Sequence, residues 1–360
     1  MTFQHRYSKV DQFLHTLAFR NIGLQKMLAD MEDQVYRKRV SATPVVAPVF
    51  ITSLPRAGTT LMLETLSALP QFAAHTYRQM PFVLCPLLWN TLSQRFHRSG
   101  DVQERAHGDG MTIGFDSAEA FEEVLWKAFW PEKYHADRIE PWTGEDINDE
   151  FDEFFVNHIK KIVLLRADEP RTSVRYVSKN NANVARIKTL TRLFPDCVIV
   201  LMFRSPLQHA MSLHRQHKNF LQKHAEDPFI RQYMEQIGHL EFGDLLRPFD
   251  FDGWLDRDCR DTAEQIGFWV AYWVNCFKQV VARRSDAVKL IDYDRCCTEP
   301  GAAMHALAAA LDIDDPGLLL EQASRYRAPR IHDPAGLDID PALAAEAAKI
   351  HDELKSTAVF

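Results

Sequence analysis

The feature that most constrains this chain is the octapeptide Ser-Leu-Pro-Arg-Ala-Gly-Thr-Thr at residues 53–60. It follows the apolar, β-branched run of residues 44–52, which is typical of a strand buried on both faces. After Gly58, apolar residues recur in a helical pattern that stops at Pro70. A strand, a glycine-containing turn and a helix together predict a loop that binds phosphate through backbone N–H groups.

The loop departs from the nucleoside-triphosphate pattern in ways that bear on its ligand. That pattern requires Gly, four residues, and then Gly-Lys followed by Ser or Thr. Ser53 replaces the first Gly, Gly58 matches the second, and Thr59 stands where Lys is required. The cation is instead Arg56, two residues before Gly58. The sequence therefore predicts a phosphate-binding loop that lacks a lysine able to reach β- and γ-phosphates.

Further apolar segments predict strands that alternate with helices. Residues 197–203 form the clearest buried strand, which ends at Arg204, and a helix is predicted directly after it. Residues 175–178 and 288–291 predict two shorter strands. This alternation predicts an α/β fold with a P-loop-like parallel sheet flanked by helices, and with additional helices at both ends.

The periodicity of residues 8–39 predicts an N-terminal helical segment, which we bound at residues 1–44. Residues 45–360 then form the main domain. The 360 residues are enough for one large core, so we expect a single globular domain overall.

Composition excludes several classes of partner. The formal net charge is −7 and no long Lys/Arg block occurs, so nucleic acid is not expected as a partner. No run of 18 apolar residues occurs, so no membrane span is expected. The six cysteines are scattered and the first residues lack an apolar signal sequence. We therefore expect free thiols and a reducing, cytoplasmic location.

A second candidate anion site follows the strand at residues 197–203. Arg204 stands just after the strand, and Ser212 lies eight residues later on the predicted helix. Taken singly, the two residues fit a surface ion pair and a solvated helix position. Taken with the first loop, they can hold another phosphate at the same sheet edge, where ligands of parallel sheets bind. Two anion sites indicate a nucleotide that is phosphorylated at two positions.

These residues resemble the two nucleotide motifs of sulfotransferases that use 3′-phosphoadenylyl sulfate (PAPS). Residues 55–60 match the family's first motif, with Ala57 as a mild departure, and Arg204 with Ser212 match the second in type and spacing. Residues 76–78 and 179–181 are more similar to those of bacterial and tyrosylprotein-like members than to those of the small-molecule cytosolic members. The resemblance implies that the 5′-phosphosulfate is bound by Arg56, Ala57, Gly58, Thr59 and Thr60. It implies that Arg204 and Ser212 bind the 3′-phosphate.

The resemblance also implies an activity. It is the transfer of a sulfuryl group from PAPS to a hydroxyl of a small-molecule or glycan acceptor, without a metal ion. Arg56 would stabilise charge during the transfer. Two alternatives stay open at this point, a P-loop kinase-like phosphotransferase and a non-catalytic nucleotide-binding protein on the same fold.

The general base that an acceptor hydroxyl requires is not fixed by the sequence. Related enzymes use a His or a Glu, and the tyrosylprotein and heparan enzymes place a glutamate about twenty residues after the loop cation, where this chain has His75 and no carboxylate. His107 lies in a Gly-rich segment where a substrate could dock, and we favour it over His75 as the catalytic base. Glu122 and Glu123 are further candidates.

Three other groups allow more than one interpretation. His209, His214 and His217 could form a metal site, but we favour a solvated helix face because their spacing fits no standard zinc pattern. An acceptor-binding wall or ordinary core packing is predicted from Trp126, Trp130, Tyr134 and Trp142. Contact with the 3′-phosphate or simple surface charge is predicted from Arg325, Arg327 and Arg330.

Overall fold

The computed structural model describes residues 15–16, 18–93, 103–104, 112–113, 118–167, 174–259, 261–283, 285–329, 331–334 and 336–360. The strands within these ranges are β1 (Val49–Thr52), β2 (Phe72–Ala73), β3 (Gln103–Glu104), β4 (Thr112–Ile113), β5 (Arg175–Lys179), β6 (Val198–Phe203) and β7 (Val288–Asp292). Strands β2, β5, β1, β6 and β7, in that order, form a sheet whose paired neighbours are all parallel. Strands β3 and β4 pair with each other in antiparallel fashion.

Helices cover both faces of the sheet. The α-helices are α1 (Ile22–Val35), α2 (Arg37–Ala42), α3 (Thr59–Ser67), α4 (Pro86–Ser93), α5 (Glu122–Phe129), α6 (Asp149–Ala167), α7 (Ile187–Leu193), α8 (Pro206–Glu226), α9 (Pro228–Ile237), α10 (Trp254–Arg257), α11 (Ile266–Ala282), α12 (Tyr293–Thr298), α13 (Pro300–Ala310), α14 (Gly317–Gln322) and α15 (Pro341–Thr357). The predicted α/β fold with a parallel sheet and helical additions at both ends is confirmed. None of the described helices is long and apolar enough to cross a membrane.

The sheet separates two apolar layers because successive side chains of a strand point to opposite faces. In β1, Phe50 belongs to the apolar cluster that includes side chains of α5, α6, α8 and α11, whereas Val49 and Ile51 belong to the cluster that includes side chains of α3 and α13. Strand β6 alternates in the same way, with Leu201 on the first face and Val200 on the second. Both strands are therefore buried on both sides, which explains their continuous apolar sequences.

Strand β1 is shorter than predicted. The apolar run was expected to form a strand from residue 44, but the strand begins at Val49. Pro44 and Pro48 have no N–H to give to a neighbouring strand. Ala47 between them has φ 40°, and its N–H donates to the Asp196 carboxylate at 2.6 Å.

The order of the strands places a ligand crevice at β1. From β1 the chain first builds β2 and β5 on one side, and it then crosses to β6 and β7 on the other. Loops that leave the carboxyl ends of strands on either side of such a reversal point diverge, and ligands of open α/β sheets bind between them. The segment between β1 and α3 occupies that position, and it is residues 53–58.

The N-terminal helices are tied to the domain by buried charges. Lys161 of α6 is fully buried and lies 2.8 Å from the Glu32 carboxylate and 2.7 Å from the Asp33 carboxylate, both on α1. Glu32 also accepts a hydrogen bond from the backbone N–H of Leu88 at 2.7 Å. Burial raises the pKa of Glu32, and the nearby Lys161 opposes that rise. A buried ammonium between two carboxylates fixes α1 against α6 and α4.

Candidate active site

The loop of residues 53–58 has a strained and closely packed backbone. Arg56 has φ 71° and Gly58 has φ 81°, so two residues of a six-residue loop are left-handed. Such a conformation disfavours side chains with a Cβ, and a Cβ added to Gly58 would lie 2.2 Å from Cε2 of Tyr293. Gly58 is also the N-cap of α3. The loop thus directs the first N–H groups of a helix toward the crevice, as anion-binding loops do.

On the β6 side, the loop contacts the predicted second anion site. The Nη1 of Arg204 donates to the backbone carbonyl of Arg56 at 3.1 Å, and its Nε donates to the Asp294 carboxylate at 3.1 Å. The same carboxylate accepts from the backbone N–H of Ser205 at 2.8 Å. The Arg204 guanidinium lies 5.4 Å from the ring centroid of Tyr293. The structure therefore brings Arg56 and Arg204 together.

Helix α8 is fastened to the loop by a buried histidine. The Nε2 of His209 lies 2.7 Å from the carbonyl oxygen of Pro55 and donates to it. Burial, together with the charge of Arg204, lowers the pKa of His209 to about 3. Ser212, the other predicted 3′-phosphate ligand, is mostly buried one turn further along α8. The prediction of a solvated histidine face was wrong for His209 and His217, because both rings are buried.

On the β5 side, the two residues that flank the loop contact Asn181. Asn181 accepts from the Thr59 hydroxyl at 3.4 Å through its side-chain oxygen and from the Thr52 hydroxyl at 3.1 Å through its backbone oxygen. Its side-chain nitrogen donates to the Glu241 carboxylate at 2.9 Å. The backbone N–H of Asn180 continues the sheet by donating to Ile51 at 3.0 Å. Asn181 thereby joins the first residue of α3 to an acid that the sequence analysis did not identify.

A shallow cleft, partly open to solvent, lies beside Asn181. Its lining includes Glu123, Lys179, Asn181, His239, Glu241 and Tyr272. Burial by itself would raise the pKa of Glu241, but His239, Lys179 and Asn181 outweigh that effect and lower the pKa to about 2. The cleft thus presents an ionised carboxylate next to basic and aromatic side chains at the sheet edge.

The two predicted bases are placed differently. His107 lies outside the described residues. His75 is 1% exposed, its Nε2 lies 2.7 Å from Nε2 of His158, and burial lowers its pKa to about 3. Its ring packs against Tyr176 and is not part of the cleft lining. Both assignments stay predictions, and the assignment to His75 requires a rearrangement that exposes the ring.

The two carboxylates of α5 serve buried polar contacts. Glu122 accepts from Tyr176 at 3.2 Å and from Asn183 at 2.8 Å. Glu123 accepts two hydrogen bonds from the Arg186 guanidinium, at 2.6 and 2.9 Å. Glu122 is fully buried, whereas Glu123 also reaches the cleft lining.

The aromatic cluster belongs to the core. The Arg186 guanidinium lies 4.3 Å from the ring centroid of Trp126 and 4.1 Å from that of Trp142, between the two indoles. Trp130 is buried beside Trp142. Of the two interpretations offered above, core packing is the one that these contacts match. A guanidinium held between two indoles is stabilised by cation–π attraction.

The late basic cluster is only partly described. Arg325 pairs with Glu64 of α3 and donates to Gln322 at 3.2 Å. Arg327 is exposed, and Arg330 lies outside the described residues. Within the described ranges, no group of three or more His, Cys, Asp or Glu side chains is arranged to hold a metal ion.

Comparison with known proteins shows the family of this chain. A model of the sulfotransferase family matches residues 48–247, which is more than half of its length. The chain belongs to the sulfotransferase family. The match includes the loop, Arg204, Ser212 and the residues that line the cleft up to Glu241.

Two solved structures share the fold of this sulfotransferase. STF1 from Mycobacterium tuberculosis H37Rv has a TM-score of 0.53 at 13% identity, over 97% of this chain and 87% of that one. STF9 from Mycobacterium avium has a TM-score of 0.55 at 13% identity, with the same coverage. Both are sulfotransferases by name, and at this identity they show a common fold. No curated protein matches the sequence.

Proposed function

We propose that this sulfotransferase moves a sulfuryl group from PAPS to a hydroxyl of a small-molecule or glycan acceptor. The observation that carries the proposal is the hydrogen bond from Arg204 to the carbonyl of Arg56. It joins the two predicted anion sites directly. A single nucleotide with phosphates at its 5′ and 3′ positions can therefore contact both.

The roles follow from the chemistry of a loose, in-line transfer, which depends on positioning and on charge stabilisation. The N–H groups at Ala57 and Gly58, with Thr59 and Thr60, would hold the 5′-phosphosulfate. Arg56 would stabilise charge on the oxygen that leaves the sulfur. The 3′-phosphate would be held by Arg204 and Ser212. No lysine is needed for a γ-phosphate because PAPS has none.

The donor is tested by calorimetry with adenosine 3′,5′-bisphosphate, the product that would remain after transfer. We expect it to bind more tightly than ATP with Mg²⁺, and Arg204→Ala to abolish most of that preference. Arg257→Ala is a matched control, because Arg257 is exposed and contacts Asp258 and the backbone carbonyl of Asp252, both within five residues of it. Preference for ATP with Mg²⁺ would instead favour the kinase-like alternative.

Catalysis is tested by incubating the protein with PAPS and a metabolite extract and searching for molecules that gain the mass of a sulfate group. We expect at least one hydroxylated compound to be sulfated, and Arg56→Ala to remove the signal. Binding of the bisphosphate without any sulfated product or PAPS turnover would identify a non-catalytic nucleotide-binding protein.

We also propose a cytoplasmic location. All six cysteines are free, and five of them are buried. Burial raises the pKa of Cys85 and Cys197 to about 12, so these thiols stay protonated. Free thiols of this kind suit a reducing compartment. Fractionation of cells that produce the protein, with a cytoplasmic and a periplasmic marker, checks the location.

A further inference from the structure

The cleft beside Asn181 contains a histidine–carboxylate pair that is not among the proposed donor ligands. The Nδ1 of His239 lies 3.6 Å from Oε2 of Glu241. The two side chains are 12% and 21% exposed, so both are largely buried and still reach the cleft surface. In many active sites, a histidine acts as a base while a neighbouring carboxylate orients its ring.

The backbone turns His239 toward the cleft. Helix α9 is capped by Gly238, which has φ 83°, and a Cβ there would lie 2.5 Å from Cγ of Glu123. Only glycine fits this close approach to α5. The chain reverses at Gly238, the N–H of His239 donates to the carbonyl of Met234 at 2.9 Å, and the imidazole joins the cleft lining.

Hydrogen bonds connect this pair to the donor loop. Thr59 donates to the side-chain oxygen of Asn181 at 3.4 Å, and the side-chain nitrogen of Asn181 donates to Glu241 at 2.9 Å. Glu241 thus lies one amide away from the first residue of α3. Arg204 approaches the same loop from its opposite side. A donor that contacts both Arg204 and Thr59 would therefore extend across the loop toward the side on which Asn181 and Glu241 lie.

The carboxylate of Glu241 can fix the orientation of the His239 ring. The lowered pKa of Glu241, about 2, keeps its carboxylate ionised at neutral pH. An ionised carboxylate beside Nδ1 holds the proton on that nitrogen, which leaves the lone pair on Nε2. It also stabilises the imidazolium that forms when Nε2 accepts a proton. Lys179, Arg247 and Glu123 are the other charged residues of the cleft.

We propose that His239 is the general base of the reaction and that Glu241 is its positioning residue. Nε2 of His239 takes the proton of the acceptor hydroxyl as the acceptor oxygen bonds to sulfur. The bond between sulfur and the bridging oxygen breaks, and adenosine 3′,5′-bisphosphate leaves with that electron pair. His239 then releases its proton to solvent. The inference rests on the proposed function, and it places the acceptor in the cleft.

The test compares His239→Ala, His239→Gln and Glu241→Gln with the wild type. Release of adenosine 3′,5′-bisphosphate from PAPS is measured without added acceptor and with phenol, across a range of pH. We expect His239→Ala to lower turnover by about 10²- to 10⁴-fold and to lose the acid limb of the pH profile. Added imidazole should restore part of the rate. Glu241→Gln should cause a smaller loss and displace that limb.

Binding of adenosine 3′,5′-bisphosphate separates the inference from the proposed function. Each variant should bind it as tightly as the wild type, which also shows that the variant is folded. The matched control is His135→Ala. His135 is exposed, and its Nε2 lies 3.5 Å from the Glu140 carboxylate. Turnover of His239→Ala within twofold of the wild type would overturn the assignment and leave the proposed function intact. A wild type that neither binds the bisphosphate nor consumes PAPS would remove both.

Discussion

The two sides of the loop at residues 53–58 differ in the chemistry that they present. On the β6 side, the loop meets a guanidinium that is already paired with a carboxylate, Arg204 with Asp294. On the β5 side, Thr59, which directly follows the loop, donates to the neutral amide of Asn181, and that amide donates in turn to the Glu241 carboxylate. A fixed cation suits an anionic ligand, whereas an amide in front of an acid suits a hydroxyl that must lose a proton.

This difference indicates that the two sides of the loop have separate functions. Binding energy for the nucleotide should come mainly from the β6 side, and transition-state stabilisation from the β5 side and from Arg56. Substitutions on the two sides should therefore separate nucleotide affinity from turnover. A variant that affects both quantities equally from the β5 side would break the comparison.

Removal of Arg204 should have the largest effect. Arg204→Ala deletes the cation that faces the 3′-phosphate, and it leaves the Asp294 carboxylate to repel the ligand. We expect affinity for adenosine 3′,5′-bisphosphate to fall by about 2–5 kcal/mol, as for other truncated, buried charge pairs. Calorimetry measures this loss, and an affinity within threefold of the wild type would show that the nucleotide does not use the β6 side.

Substitution of Asn181 should separate the two sides. Asn181→Ala removes the link between Thr59 and Glu241 and leaves the Arg204 contacts in place. Loss of these two positioning hydrogen bonds should cost about 1–2 kcal/mol, or roughly tenfold in turnover. Bisphosphate affinity should stay within twofold. Steady-state kinetics with PAPS and calorimetry together check this, and an equal loss in both measurements contradicts the division.

The attachment of α8 to the loop should be sensitive to acid. The folded-state pKa of His209 is about 3, below the ordinary value of about 6.5, so the unfolded chain binds a proton that the folded chain excludes. The free energy of unfolding should therefore fall as pH is lowered from about 6.5 toward 3, by about 1.4 kcal/mol per pH unit for this group at most. Above pH 6.5 this contribution is constant.

Urea unfolding of the wild type and of His209→Gln at pH 7 and pH 5 measures this slope. Glutamine can still donate to the carbonyl of Pro55 but does not titrate, so its stability should fall less steeply. His75 and His158 titrate in both proteins and cancel from the difference. Parallel losses in the two proteins would show that His209 does not carry the acid sensitivity.

Neutralising Asp294 should have the smallest effect, with the opposite sign. The carboxylate competes with an incoming phosphate for Nε of Arg204. Asp294→Asn keeps the size of the side chain and removes that competition, so bisphosphate affinity should rise a few-fold. The gain should shrink at high salt because screening weakens the competing charge. Lower affinity would mean that Asp294 positions Arg204 for the nucleotide instead.

The sequence predicted those parts of the site whose signal is local. The loop, its cation and the Arg204–Ser212 pair each lie in a strand–turn–helix segment of about twenty residues, where spacing and apolar pattern are visible together. The α/β fold followed from the same alternation. Their convergence was expected because parallel strands bring their carboxyl ends to one edge.

The β5 side of the site could not be predicted in this way. Glu241 lies sixty positions after Asn181, and only tertiary packing at Gly238 brings it to the cleft. The burial of His209 was missed because hydrophobic periodicity treats a histidine as polar whatever its surroundings. The start of β1 was misplaced because the prolines of an apolar run were counted as strand residues.

The buried contact between Lys161 and the two acids of α1 limits how this chain can be divided. A break at residue 44, just before the nucleotide-binding half of the sheet, separates the two acids from their cation and leaves a desolvated ammonium inside the remainder. Breaking a buried pair of this kind costs about 3–5 kcal/mol. Helices α1 and α2 must therefore be kept together with residues 45–360 when the protein is engineered. A chimaera with another sulfotransferase needs its junction elsewhere.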